Sequence, residues 1–358
     1  MISIRATVAA GYLPSIMHWY CNLKKAKIMC EEVLSGLFRN KIPLPGSPLK
    51  YLNSYIIRDS ARSLIIDTGL NRPECLDAMH KGLNTLGIDL SQCDIFITHL
   101  HADHFGLVTK LATDSTNIFF SRPEKELIES WEGFGAMLDY AGLNGFPKTE
   151  LKAALDKHPG AKFGSDWIPE LKVLDDGDTI DVGSYHFRCV TTPGHTMGHT
   201  CLYEPNKKIL VAGDHILTDI TPNIQCWSDS QNPLKHYLAS LDKVNQLAVD
   251  LVLPGHRRLI HDPQARIAAL KKHHARRLKE VLTILGNGAM SAFQVASQMT
   301  WDIDCENWDE FPVAQKWFAT GEAISHLRYL EQEGKIVRHT PDETVKFTLV
   351  TGASSKKT

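Results

Sequence analysis

The sequence predicts an α/β fold in which two sheets are flanked by helices, followed by a small helical unit that ends in a pair of strands. Three observations predict it. From Leu52 onward short strand-like runs alternate with helical stretches, metal-ligand side chains recur just beyond those apolar runs, and after Asp262 the chain turns to long helical periodicity.

Residues 52–58 and 64–66 read as strands. Leu76, Met79, Leu83 and Leu86 recur at helical spacing after Pro73, and Ile95-Phe96-Ile97 is a further strand. A strand and a helix recur around residues 117–132. Residues 133–164, with Phe134, Met137, Tyr140, Leu143 and Phe146, are too apolar for a solvated linker and read either as a lid or pocket wall, or as core. Further strand-like runs follow at residues 185–191, 199–203, 209–212 and 251–253. Residues 266–285, 291–301 and 313–333 are helix candidates, the last closed by Gly334. Two strands, 336–338 and 345–349, then flank the turn at Pro341-Asp342. Three helices and a hairpin make a winged helix.

Composition excludes several classes. With 43% hydrophobic and 22% charged residues the 358-residue chain is an ordinary globular one, long enough for two domains, with nothing that argues for disorder or a membrane span. A net charge of −2 supplies no global basic field, so attraction to nucleic acid needs a local patch. Residues 263–350 carry eleven basic and eleven acidic side chains, and their only basic cluster is Lys271, Lys272, Arg276, Arg277 and Lys279 on the first helix. It reads as a solvated face or as a path for RNA. Eight scattered cysteines with no paired spacing, and no secretory pattern, point to the reducing cytoplasm.

The chemistry is concentrated in Thr98-His99-Leu100-His101-Ala102-Asp103-His104, four potential ligands in six residues directly after an apolar run. Imidazole and carboxylate suit zinc, and alternating residues at a strand end project in different directions, so two ligand sets can serve two ions. No cysteine lies within the motif, which argues against a structural zinc knuckle. A catalytic pair of ions needs further ligands, and His195, Asp214 and His256 supply them, each just beyond a strand-like run. His199 and His215 read as orienting or structural side chains, and Cys201 and Cys226 as small packing residues.

The run His99-x-His101-x-Asp103-His104, followed by His195, Asp214 and His256, resembles the metallo-β-lactamase superfamily over about Lys41 to Asp262. The resemblance implies a four-layer αββα sandwich over 41–262, with the winged-helix domain over 263–350. It implies one ion on His99, His101 and His195, a second on Asp103, His104 and His256, and Asp214 bridging. Asp67, in Ser63-Leu64-Ile65-Ile66-Asp67-Thr68-Gly69, would hydrogen-bond and orient ligands. The best-known lactamases place a cysteine where this chain has Asp214, so antibiotic cleavage is not favoured. Flavodiiron proteins carry glutamate at the position of His101 and add a flavodoxin domain, so zinc is favoured, with iron and manganese open on donor softness alone. The core also resembles glyoxalase II, whose C-terminal region is all-helical. The C-terminal arrangement resembles a lactamase-like branch whose members include mitochondrial endoribonucleases.

The expected activity is therefore that of a metal-dependent hydrolase. A hydroxide bridging two ions, fixed by Asp103 and Asp214 as catalytic residues, would attack the carbonyl of a small ester, thioester or lactone. The alternatives are a single-strand endoribonuclease and a nucleic-acid-binding regulator with a vestigial enzyme domain, and the complete ligand set argues against the last. A small molecule is the expected partner, RNA a weaker one, and oligomeric state is not encoded in any motif. Residues 1–28, basic at Leu23-Lys24-Lys25-Ala26-Lys27-Ile28, are expected to be a poorly ordered extension and 351–358 a flexible tail. Met29 is then the candidate functional start. N-terminal sequencing of the natively expressed protein should find Met29 first, and an intact Met1 terminus would refute it.

Overall fold

The computed structural model describes residues 30–163 and 169–350, so the expectations for the first 28 residues, Met29 and the 351–358 tail lie outside the described residues. Strands β1 (Cys30–Leu34), β2 (Leu37–Pro43), β3 (Tyr51–Ile57), β4 (Ser63–Ile66), β5 (Cys93–Phe96), β6 (Ile118–Ser121) and β7 (Lys172–Leu174) form one sheet in chain order. Among the described residues regular structure begins at Cys30, ahead of Lys41. The first four strands pair antiparallel and β4 to β7 pair parallel. Parallel neighbours need a crossover, and helix α1 (Pro73–Leu86) provides it between β4 and β5. Pro73 opens the helix, and Gly87 closes it at φ 66°, donating to the carbonyls of Asn84 and Leu83.

Between β5 and β6 lie α2 (Ala102–Phe105) and α3 (Val108–Leu111). Between β6 and β7 lie α4 (Arg122–Glu129), α5 (Gly135–Leu143), α6 (Lys148–Lys157) and α7 (Pro159–Phe163). A second sheet contains β8 (Thr179–Val182), β9 (Tyr185–Thr191), β10 (Thr200–Glu204), β11 (Ile209–Gly213) and β12 (Leu251–Pro254), with β11 and β12 parallel and the other pairs antiparallel. Helices α8 (Pro233–Asn245) and α9 (Pro263–Leu285) frame β12 in the chain.

Central strands are apolar on both faces because both are covered. Tyr55, Ile57, Leu64, Ile66 and Phe96 of the first sheet meet Phe187, Leu202, Val211 and Leu253 of the second. The alternate residues Ile56, Ile65, Ile95 and Ile97 face Met79 and Leu83 of α1. On the far side Val190, Leu210 and Val252 pack against Tyr237 and Leu241 of α8 and Ile267 and Leu270 of α9. The molecule is thus an α/β sandwich of two mixed sheets, with helices on each outer face.

The C-terminal module comprises the end of α9, α10 (Ala292–Ala296), α11 (Val313–Gln332) and the antiparallel pair β13 (Ile336–His339) and β14 (Lys346–Leu349). Its core joins Val281, Val295, Ile324, Leu327, Ile336 and Phe347, together with Cys226 from the preceding unit. Cys201 and Cys226 are fully buried, as small packing residues should be. Within residues 133–163, Ala141, Phe146 and Ala154 are buried and pack against Trp317 of α11, while Phe134, Met137, Tyr140 and Leu143 are half-buried. At its end α7 abuts α2, the helix that carries Asp103 and His104. Among the described residues no helix is long and apolar enough to cross a membrane.

Candidate metal centre

Each expected ligand follows a strand of the sandwich. His99 lies beyond β5, His195 beyond β9, Asp214 directly after β11 and His256 beyond β12, while His101, Asp103 and His104 enter and form α2. The ends of strands from both sheets therefore converge, the usual position for a site in an open α/β architecture. Three groups result: His99, His101 and His195; Asp103, His104 and His256; and His99, His104 and Asp214. Within each, ligand atoms lie within 4.8 Å of one another. The structure brings together all seven residues read from the sequence.

The tautomers can be worked out from the partners. His195 Nδ1 donates to the Asn223 carbonyl at 2.9 Å and His256 Nδ1 to the Tyr51 carbonyl at 2.9 Å, so each presents Nε2 inward. His99 Nδ1 lies 3.0 Å from the Thr98 hydroxyl, which itself donates to Asp67. Nε2 of His99 and Nε2 of His195 then approach Nδ1 of His101 at 3.0 and 2.9 Å. Three ring nitrogens converge with at most one proton among them, an arrangement that a shared cation satisfies and a hydrogen bond does not. Nε2 of His104, Nε2 of His256 and Oδ1 of Asp214 are buried without hydrogen-bond partners. Such orphaned atoms fit a metal.

Asp214 sits between the groups: its Oδ1 is 3.5 Å from His104 Nε2, and its Oδ2 is 3.7 Å from His195 Nε2 and 3.5 Å from His256 Nε2. Asp103 Oδ2 lies 3.3 Å from His256 Nε2. Burial, reinforced by neighbouring imidazoles, holds His99 well below its ordinary value and His101 at about 3; burial also lowers His195. All three are neutral donors. Burial opposes charge on His104 and His256 as well, but the surrounding carboxylates win, raising His104 well above its ordinary value and His256 to about 10.

Asp67 lies within this shell. Its Oδ2 is 2.8 Å from His104 Nδ1, and its Oδ1 accepts from the Thr98 amide at 2.8 Å, at a left-handed φ of 59° that Asp tolerates better than most residues. His199 lies outside these three groups: its Nε2 accepts the Asp214 amide at 3.1 Å, and Nδ1 lies 2.8 Å from the Thr192 hydroxyl. His215 is buried beside the ring of Tyr237.

Sequence reasoning missed Glu124. It is buried on α4 and accepts the Thr196 hydroxyl, next to His195, and burial pushes its carboxyl up to about 7 against that opposing hydrogen bond. A Pro-Glu pair at a helix start reads as an exposed first turn, so no local signal marks it. Asn223 and Glu322, 3.0 Å apart, were missed as a pair for the same reason.

Two His/Asp clusters positioned to chelate ions around a shared carboxylate are the architecture of a binuclear metal hydrolase. The chain belongs to the metallo-beta-lactamase superfamily, whose pattern it matches over residues 49–256, and residues 278–350 match the family described as "Metallo-beta-lactamase-like, C-terminal domain". It is 26% identical to the "Probable metallo-hydrolase YqjP" of Bacillus subtilis over 82% of this chain and 92% of that one. It is 28% identical to the "Atrochrysone carboxyl ACP thioesterase" of Emericella nidulans over 66% of this chain and 61% of that one. Among solved structures, the metallo-beta-lactamase family protein TTHA1429 of Thermus thermophilus superposes with a TM-score of 0.76 at 27% identity, covering 89% of this chain and 100% of that one.

Two predictions follow from the supporting residues. Asp67→Asn keeps the backbone geometry but removes the charge facing His104 and Thr98. Chelator competition should show metal held about 10–100-fold less tightly, and an unchanged competition curve would remove Asp67 from that role. Glu124 retains a proton when folded that the unfolded chain has released between its ordinary 4.5 and about 7, so its contribution to stability is present below 4.5 and lost as pH rises through 7. In denaturant unfolding across that window, Glu124→Gln should remove a decline on the order of 3 kcal/mol; parallel profiles for wild type and variant would refute it.

Proposed function

We propose that the chain is a two-zinc hydrolase that cleaves a small ester, thioester or lactone. The observation that carries this is Asp214, whose two oxygens face both ligand groups at once. His99, His101 and His195 would hold one ion, Asp103, His104 and His256 the other, with Asp214 shared and Asp67 orienting His104. The all-nitrogen and oxygen donor set favours zinc. Two such cations, when bound by these residues, would supply an acidified water as nucleophile and polarisation of the electrophilic carbonyl.

The chain's own residues prepare that chemistry. Hydrogen bonds from Nδ1 of His195 and His256 to main-chain carbonyls turn Nε2 of each toward the site, and burial keeps the first trio uncharged at neutral pH. Asp103 and Asp214 stay ionised despite burial because His104 and His256 lie against them, which keeps both carboxylates available to position water and ions. A carbonyl substrate is supported by the Emericella nidulans relative, whose name describes a thioesterase.

The ribonuclease reading loses part of its basis. Of the five clustered cations of α9, Arg277 is buried against Trp301 and paired with Glu280, and Lys271 is paired with Asp242. We read α9 to α11 with the β13–β14 hairpin as a winged helix that serves the hydrolase unit, taking the units as 41–262 and 263–350. The seven described cysteines are free thiols, which supports a reducing cytoplasm as the location.

Metal analysis combined with a hydrolysis panel of thioesters, lactones, phosphodiesters and short RNA tests the proposal. Turnover of a carbonyl substrate should fall to near background with chelator and in His101→Ala or Asp214→Ala, with folding retained. Cleavage confined to RNA or phosphodiesters would overturn the substrate class, and wild-type turnover by folded Asp214→Ala would overturn the two-metal site.

A further inference from the structure

We propose that Glu322, in the C-terminal module, is a positioning residue for the metal ligand His195, acting through Asn223. The proposal rests on the two-metal reading above. His104 and His256 take their orienting acceptors from the sandwich itself, Asp67 at the end of β4 and the Tyr51 carbonyl on β3. His195 takes its acceptor from Asn223, within a stretch from Asp214 to Asn232 that has no helix or strand of its own. The direction of the His195 ring therefore depends on whatever pins that stretch.

Upstream, Arg266 of α9 holds the carbonyls of Leu217 and Ile220 at 2.5 and 2.7 Å. Downstream, the fastening is α11. The Asn223 side-chain amide donates to Glu322 Oε2 at 3.0 Å, and the Cys226 amide donates to the Gly321 carbonyl at 3.0 Å. Trp227 stacks on Trp317 with ring centroids 4.1 Å apart. The approach is close enough that a Cβ on Gly321 would fall 2.7 Å from the Trp227 ring.

Glu322 is itself held. It is 7% exposed, and Arg277 Nη2 lies 3.6 Å from its Oε1. Arg277 is 3% exposed; it donates to the Thr300 carbonyl at 2.5 Å and lies over the Trp301 ring at 4.2 Å. A continuous polar chain thus runs from Trp301 and Arg277 through Glu322 and Asn223 to His195. Glu322 and Arg277 are buried and Asn223 and His195 half-buried, where an unmet amide costs enough to move a loop. Removing the Glu322 carboxylate leaves the Asn223 amide unpaired and frees the Asn223 carbonyl that accepts from His195 Nδ1 and so aims its Nε2. The ion on His99, His101 and His195 then loosens, while the one on Asp103, His104 and His256 keeps its supports.

The test uses full-length wild type, Glu322→Ala, Glu322→Gln, Asn223→Ala and the Glu322→Ala/Asn223→Ala double variant. Each is loaded with Zn2+ and titrated with chelator, and zinc per chain is measured at each step. Wild type should hold two ions. Glu322→Ala should release one of them at about 10–100-fold lower chelator concentration, the cost typical of a lost orienting partner, and the other unchanged. Glu322→Gln, which keeps an oxygen to accept from Asn223, should restore the wild-type curve, and the double variant should be no worse than either alanine single. Equal loosening of both ions, additive losses, or a wild-type curve in both folded alanine singles would overturn the proposal. Should Glu322→Ala fail to fold, Asn223→Ala carries the same comparison. A wild type that binds no zinc overturns both readings, whereas a two-ion wild type with unmoved variants overturns this one alone.

Discussion

The site depends on holding the ends of two different sheets in register. His99 to His104 come from the first sheet and His195, Asp214 and His256 from the second, so a slip between sheets of an ångström or two would separate the ligand groups. Buried hydrogen bonds prevent it. Asn53 on β3 donates from its amide to the Gly255 carbonyl at 2.7 Å and from its side chain to the Pro254 carbonyl at 2.9 Å, and the Tyr55 hydroxyl donates to the same Pro254 oxygen at 2.9 Å. On the other side the Thr200 amide donates to the Thr98 carbonyl at 2.9 Å. Breaking such a bond without replacement costs about 1–3 kcal/mol, and a slip would break several together. Gly255 completes the fit, because a Cβ there would fall 2.6 Å from Asp214 Oδ1.

Charge is balanced inside this frame. Asp103 and Asp214 are ionisable groups largely withdrawn from water, which burial alone would not tolerate ionised. His104 and His256 lie against them and are raised by them, so carboxylates and imidazoles stabilise each other's charge. The first group differs: His99, His101 and His195 crowd one another and are lowered, which leaves lone pairs with nothing to bind but a cation. The asymmetry is one of donors, three imidazoles on one side and a carboxylate-rich set on the other.

The seven converging His and Asp residues were legible in the sequence because they follow apolar runs that read as strands, so local pattern carried global position. His199 was also readable as a non-ligand once two coordination sets were full, and its bond to the Asp214 amide agrees. Long-range packing left no such trace. Glu124 looks like a surface residue in its own helix and is buried only because Gly198 comes against it from 74 positions away, close enough that a Cβ there would fall 2.6 Å from the Glu124 Cγ. Arg277 was read within a basic run, yet its helical phase turns it inward while Lys272 and Arg276 are less buried. The apolar residues Phe134, Met137, Tyr140, Leu143 and Phe146 recur every third position, yet that spacing does not name the partner of Phe146, Trp317 of a distant helix.

That sharing bears on what the C-terminal module is. Helix α9 contributes Ile267 and Leu270 to the outer core of the sandwich and Val281, Ile284 and Leu285 to the core of the module, so one rigid element belongs to both. Residues 133–157 add a second connection through Trp317, and the stretch bearing Asn223 and Trp227 a third. A unit kept only to bind nucleic acid would need none of these. Three separate attachments, one of them two hydrogen bonds from His195, tie the packing of the module to the aim of that side chain.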